Sequence, residues 1–167
     1  VELDWTEATV PTNRITLLSN PIEPCNKEPE LWYALQQLMA TGEKALIQTP
    51  YVVCSGAMYD GLTELNGAGT QIELLTNSAE SGANPFGCAD YMNQKKKILR
   101  TGATVYEFHG DRSSHTKTIL IDDRLSIVGS YNLDMRSTYL DTELMLVVDS
   151  RELNAQLWET MEQDMEQ

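Results

Sequence analysis

The sequence predicts an α/β layered domain in which a mixed β-sheet is flanked by helices. Three observations lead there. Apolar runs of strand length alternate with helix-periodic segments through the first two thirds of the chain, and strands then cluster towards its end. Length and composition, 167 residues with 41% hydrophobic and 22% charged, suit one domain with its own core and exclude disorder and low complexity. No internal repeat and no Gly/Pro/Ser-rich linker divides the chain.

Residues 1–28 read as an entry segment broken by Pro11, Pro21 and Pro24, with one short strand at Arg14–Leu18; residues 29–167 read as a single lobe. Pro29 suits the first turn of a helix whose apolar stripe is Leu31, Trp32, Leu35, Leu38 and Met39, stopped near Gly42. Ala45–Val53 reads as a buried strand that Pro50 ends or bends. A short helix follows over Ala57–Leu65, with Gly67 and Gly69 marking its turn, and Gln71–Thr76 is the next strand. After a polar loop, a helix from Cys88 to Arg100 turns Tyr91, Ile98 and Leu99 inward, and Ala103–Phe108 is a strand. Thr116–Ile121 and Leu125–Val128 form a hairpin about Asp122–Asp123. Glu143–Val148 is the last strand. Asp149 or Ser150 caps a terminal helix that buries Leu153, Leu157, Trp158, Met161 and Met165. Its opposite face, Glu152, Glu159, Glu162, Asp164 and Glu166, reads as solvated.

Charge narrows the partners. With 12 Lys+Arg against 25 Asp+Glu, the net charge of −13 disfavours nucleic acid and, for the chain as a whole, anionic lipid. No apolar run reaches the roughly 18 residues of a membrane span. The three cysteines, Cys25, Cys54 and Cys88, have no metal-ligand spacing and read as reduced thiols. The chain begins at Val1, without Met or a signal segment, which suggests a piece of a longer protein.

The chemistry concentrates in HTKTILIDDRLSIVGSYN, residues 115–132. His115 and Lys117 are two apart at a strand entry, so period-two geometry puts both on one face. An imidazole that attacks phosphorus beside an ammonium that neutralises non-bridging oxygens suits phosphoryl transfer. Gly129 admits close backbone approach, while Ser130 and Asn132 offer neutral donors to the same oxygens. Glu143 could hold the other imidazole nitrogen and fix its tautomer.

The full pattern H-x-K-x4-D-x6-G-S-x-N resembles the phospholipase D superfamily, the HKD phosphodiesterases, and Asn132–Ser137 (NLDMRS) resembles its cardiolipin synthase branch. ALIQTPYVV, QIELLTNS and YMNQKKKILRTGATVYEF resemble the family's usual approach to the histidine, so the likeness runs from about Arg14 to Asp149. The resemblance implies a phospholipase D-like layered domain. It implies His115 as the nucleophile forming a phosphohistidine, or as the acid for the leaving alcohol. It further implies Lys117 and Asn132 on the phosphoryl oxygens with Ser130 nearby, Glu143 supporting the histidine, and Asp122 and Gly129 as motif residues, the aspartate structural. No metal and no cofactor is implied. Asp141 departs from the Asn that many relatives carry two residues before the glutamate.

Such a site needs two HxK motifs, and this chain has one, since His109 is followed by Gly110 and Asp111. A second HxK lobe is therefore required, from the same parent chain or a homodimer mate; the C-terminal lobe of a two-lobed parent is the preferred reading. The function implied is a phosphatidyltransferase or phospholipase D-type hydrolase acting on phospholipids, peripherally membrane-associated on the cytoplasmic side. The alternatives are a dimeric HKD nuclease and a non-catalytic phosphate-binding or assembly lobe. Lys95, Lys96, Lys97 and Arg100 read as a solvated helix face before a head-group surface. Thr49, Pro50 and Tyr51 suit a groove lining and a strand end equally. Asn77 and Ser78 read as loop-turn residues before site residues, and Arg136 as a partner of Asp134 or Asp141 before a phosphate ligand.

Overall fold

The computed structural model describes residues 4–7, 9–23 and 27–166. Pro24 and Cys25 fall outside them. In chain order the elements are β1 (Arg14–Ser19), α1 (Glu30–Met39), β2 (Lys44–Gln48), β3 (Val52–Val53), α2 (Gly56–Ala68), β4 (Gln71–Asn77), α3 (Pro85–Arg100), β5 (Thr104–Phe108), β6 (Thr118–Ile121), β7 (Leu125–Gly129), β8 (Leu133–Asp134), α4 (Met135–Tyr139), β9 (Leu144–Asp149) and α5 (Arg151–Met165). Seven strands form one sheet in the order β1-β9-β7-β6-β2-β4-β5, and β3 pairs with β8 in a second, two-stranded sheet. β2, β4 and β5 are parallel, joined through α2 and α3, whereas β6, β7, β9 and β1 run antiparallel to their neighbours. The fold is thus the mixed, helix-flanked α/β sheet that the sequence predicts.

Two apolar layers hold it. On one face Ile47, Ile72, Leu74, Ile119, Ile127 and Met145 pack against Leu31, Trp32 and Leu35 of α1 and Met58 and Leu62 of α2. On the other, Leu46, Leu75, Phe108 and Leu120 pack on Met161 of α5, with Leu157, Trp158 and Met165 partly buried beside it. α5 does not reach the β1–β9 end of its face. There Ile15, Leu17, Leu144 and Leu146 are 57%, 60%, 48% and 42% exposed. The register sets Leu17 opposite Leu146 and Leu144 opposite Ser19, so these four side chains form one stripe on one face.

Several elements differ from the sequence-based expectation, each for a local reason. Ala45–Val53 is not one strand. Thr49 still donates to Leu75, but Pro50 has no N–H, and the chain turns out to pair Val52 with Leu133. β1, in the entry segment, is an edge strand of the main sheet. α2 is longer than expected; Ser55 caps its start, and Gly69 ends it at φ +106°, where a Cβ is costly. α3 starts at Pro85 because the Asn84 side chain accepts from the Phe86 and Gly87 amides. Leu99, expected inward, is 49% exposed, since Ile98 takes the buried position. Ser150, not Asp149, caps α5, as Asp149 is engaged by Arg124. Asp164 is not fully solvated; it accepts from Gln48 at 2.6 Å. Cys54 and Cys88 are free thiols, and burial pushes Cys54 up to about 12.

Candidate active site

Strand ends converge at one end of the main sheet. Thr118, which starts β6, lies opposite Gln48 at the exit of β2 and opposite Val128 near the exit of β7. Met145, near the entry of β9, lies opposite Gly129, and β4 exits alongside β2. Asn77, the last residue of β4, therefore meets the residues just outside the ladders: Thr49–Tyr51, His115–Lys117, Ser130–Asn132 and Glu143.

His115 is exposed and Lys117 half-buried, both in extended chain immediately before β6. Lys117 Nζ lies 3.1 Å from Nδ1 and 3.3 Å from Nε2 of His115 and donates to the His115 carbonyl at 2.8 Å. The two side chains share a face, as their spacing predicts. The ring of Tyr51 meets the imidazole edge-on, with centroids 6.5 Å apart and planes at 75°. Desolvation holds the Lys117 ammonium below its ordinary lysine value, against the opposing pull of the Glu143 and Asp134 carboxylates. Burial pushes Asp134 itself up.

Behind this pair lies a buried polar network. Glu143, 7% exposed, accepts from the hydroxyls of Ser130 and Ser137, the latter at 2.8 Å. Because Ser137 Oγ donates to Glu143, it accepts from the Asn132 backbone N–H at 3.2 Å and side-chain amide at 3.3 Å. The Asn132 side-chain carbonyl is buried without a partner. Glu143 makes no hydrogen bond to His115, contrary to the expectation that it holds the imidazole. Both its oxygens are taken by serines on the buried side, while the ring stands at the exposed rim. Its charge acts on Lys117 instead.

The motif's remaining positions are accounted for by the backbone. A Cβ at Gly129 would collide with the Leu144 carbonyl oxygen, so β9 packs against it only because it is glycine. Asp122, at φ +48°, accepts from the Glu43 and Lys44 amides at 3.0 and 2.9 Å. Ala45 pairs with Ile121, which puts this aspartate at the far end of β2 from His115. Arg136 pairs with Asp141 at 3.0 Å, and Lys95 of the basic cluster pairs with Glu107 at 2.7 Å.

Two residues do more than the sequence indicates. Asn77 donates to the carbonyls of Pro50 and Ser114 and accepts from the Ser114 N–H. Ser137 joins Asn132 to Glu143, yet in NLDMRS it looks like an ordinary helix-start residue. Beside Asn132 opens a cavity of about 870 Å³ lined by Tyr51, Val53, Phe86, Met135 and Leu140 among others. Among the described residues no helix is long and apolar enough to cross a membrane.

Comparison with known proteins gives the chain's family and fold. The family described as cardiolipin synthase, PLD-like domain, matches residues 34–165. The chain is 31% identical over 139 residues to cardiolipin synthase A of Wigglesworthia glossinidia brevipalpis, covering 82% of this chain and 27% of that protein. To cardiolipin synthase A of Cronobacter sakazakii it is 30% identical over 129 residues, covering 77% and 26%. The chain thus spans about a quarter of the length of these relatives. Among solved structures, it is similar to Nuc from Salmonella typhimurium, a phospholipase D family member. That TM-score is 0.71 at 15% identity, covering 92% of this chain and 95% of that one. Phosphatidylserine synthase from Haemophilus influenzae gives 0.67 at 20% identity, covering 90% and 38%. At these identities the structural likeness shows a shared fold.

Proposed function

The chain belongs to the phospholipase D superfamily, in its cardiolipin synthase-like branch, and on that premise we propose that it is one catalytic lobe of a phosphatidyltransferase acting on phospholipids. The observation that carries the proposal is the Lys117 ammonium set against both ring nitrogens of His115 at the open rim of a buried Asn132–Ser137–Glu143 network. The Lys117 ammonium stands where it can draw the non-bridging oxygens of a phosphodiester to the imidazole.

The ring nitrogen of His115 then attacks phosphorus. A P–N bond forms as the P–O bond to the first alcohol breaks, and that alkoxide takes a proton from the histidine of a second HxK lobe. The same histidine next removes the proton of an acceptor hydroxyl, whose oxygen attacks phosphorus. The new P–O bond forms, the P–N bond breaks and His115 is restored. Asn132 retains a side-chain N–H beyond the one it gives Ser137, and that N–H serves the phosphoryl oxygens. Glu143 holds Ser130 and Asn132 in place through hydroxyls and balances the charge of Lys117.

The second lobe needs a surface, and the exposed stripe of Ile15, Leu17, Leu144 and Leu146 supports one: Leu144 directly follows Glu143, so the stripe runs from the site outward. Exposed Lys96, Lys97 and Arg100 on α3 are the proposed contact with anionic head groups of a membrane surface.

A second reading, two copies pairing to cleave other phosphodiesters, is favoured by one observation: the Salmonella chain is matched along 95% of its length, so a chain of one lobe's size is found in this fold. The net charge of −13 weighs against a nucleic-acid substrate. Parallel assays separate them, with phosphatidylglycerol as lipid donor and acceptor and single-stranded DNA as the competitor substrate. Lipid transfer that disappears in His115→Ala supports the first reading. DNA cleavage without lipid turnover overturns it.

A further inference from the structure

We propose that Asn77 is the positioning residue for His115: its buried carboxamide clamps the backbone just before the imidazole and just before the tyrosine whose ring packs against it, and so sets the place from which the imidazole meets phosphorus. The inference rests on the reading of His115, Lys117 and Asn132 as a phosphoryl site.

Asn77 is the last residue of β4 and is 3% exposed. Its Oδ1 accepts from the Ser114 N–H at 2.8 Å, and its Nδ2 donates to the Ser114 carbonyl at 2.9 Å and to the Pro50 carbonyl at 3.2 Å. A carboxamide offers two N–H donors and two acceptor positions. Here both faces of residue 114 are held as a neighbouring strand would hold them. The clamp therefore pairs residue 114 ahead of β6, where the chain belongs to no strand.

Its place in the chain gives it a function. His115 is the next residue after Ser114, and consecutive Cα atoms are about 3.8 Å apart, so fixing residue 114 fixes where the imidazole begins. Tyr51 is the next residue after Pro50, and its ring is the one packed edge-on against His115. One side chain thus locates the nucleophile and the aromatic wall beside it. The loop's other side-chain ties to residues outside it are lesser: Ser81 reaches only Gly110, at 2.9 Å, and Gln48 approaches the Ser114 hydroxyl at 3.4 Å, at the limit of a hydrogen bond. Within the loop, Lys117 donates to the His115 carbonyl at 2.8 Å and the Ser113 hydroxyl to the Ser114 carbonyl at 3.3 Å, ties that move with the loop. A turn-forming asparagine would bond its own neighbours. All three of these bonds reach residues 27 or 37 positions away in sequence.

The test uses the whole isotope-labelled chain titrated with inorganic phosphate, read by NMR at His115, Lys117 and Asn132. The wild type shifts all three. Asn77→Ala and the shape-conserving Asn77→Asp bind phosphate about tenfold more weakly, as expected when a reacting group is held off its position. Ser81→Ala, which loosens the same loop elsewhere, binds as the wild type does. Hydrogen exchange of the wild type, which needs no variant to fold, shows the Ser114 amide protected above its loop neighbours. An unprotected Ser114 amide, or a folded Asn77 variant with wild-type phosphate affinity, overturns the inference while leaving the phosphate site standing. A wild type in which none of the three residues responds to phosphate overturns the phosphate site and the clamp together.

Discussion

At the scale of single residues, the proposed chemistry places different demands on Lys117, Ser137 and Asn132. Lys117 neutralises the developing charge, so Lys117→Ala is expected to slow transfer by about 10²-fold, as loss of one preorganised donor does; steady-state rates in the two-lobed enzyme check it. Burial lowers its ammonium below the ordinary lysine value of about 10.4. The charged form is therefore lost at a lower pH than for a free lysine, and the rate should fall on an alkaline limb that starts below that value. A rate flat up to the free-lysine range would contradict it. Ser137→Ala strands one Glu143 oxygen and two Asn132 donors. It should cost about 1–3 kcal/mol in urea unfolding and weaken phosphate binding as well. That His115, Lys117, Ser130 and Asn132 lie together is legible in the sequence, because strand alternation and a glycine–serine turn are local patterns; their roles belong to the proposed function. Ser137 and Asn77 are not legible in it, because their roles lie in bonds to residues that only the folded sheet brings near. Glu143 stands one residue before β9 rather than beginning it, and its partners are not legible, because a sequence cannot show that two hydroxyls lie closer to it than an imidazole.

Among the elements, regular pieces were readable from periodicity and short ones were not. β4, β5 and the β6–β7 hairpin fall within a residue or two of where alternation and turn residues put them. β3, β8 and α4 are two to five residues long and exist because Val52 meets Leu133 and Asp134 caps the Ser137 amide. Nothing so short carries a period. Caps decide the helix ends instead, and they can be tested. Gly69 closes α2 at φ +106° with open space around it, so Gly69→Ala should cost about 1 kcal/mol through backbone conformation alone, measured by urea unfolding. Unchanged stability would show that α2 ends for another reason. Such a loss matters to the site only indirectly, since α2 packs on β4, the strand that ends in Asn77.

Over the whole molecule, the sheet buries two apolar layers but leaves the Ile15–Leu17–Leu144–Leu146 stripe open next to a site that holds one HxK motif. If the stripe receives the second lobe, a charged residue there should separate the lobes. Leu146→Asp should reduce association in sedimentation velocity and remove turnover, yet leave the far-UV circular dichroism of the lobe intact. Loss of turnover with association unchanged would argue that the stripe serves something else. That the chain carries one HxK motif is legible in the sequence; the open stripe is not, because it depends on how far α5 reaches across the sheet. Most directly, an active two-lobed assembly can be quenched during turnover with a phospholipid and mapped by mass spectrometry for a phosphorus adduct. The account predicts the adduct on the ring of residue 115, absent when that residue is alanine. An adduct on a different residue of this lobe, or full turnover by His115→Ala, would contradict it.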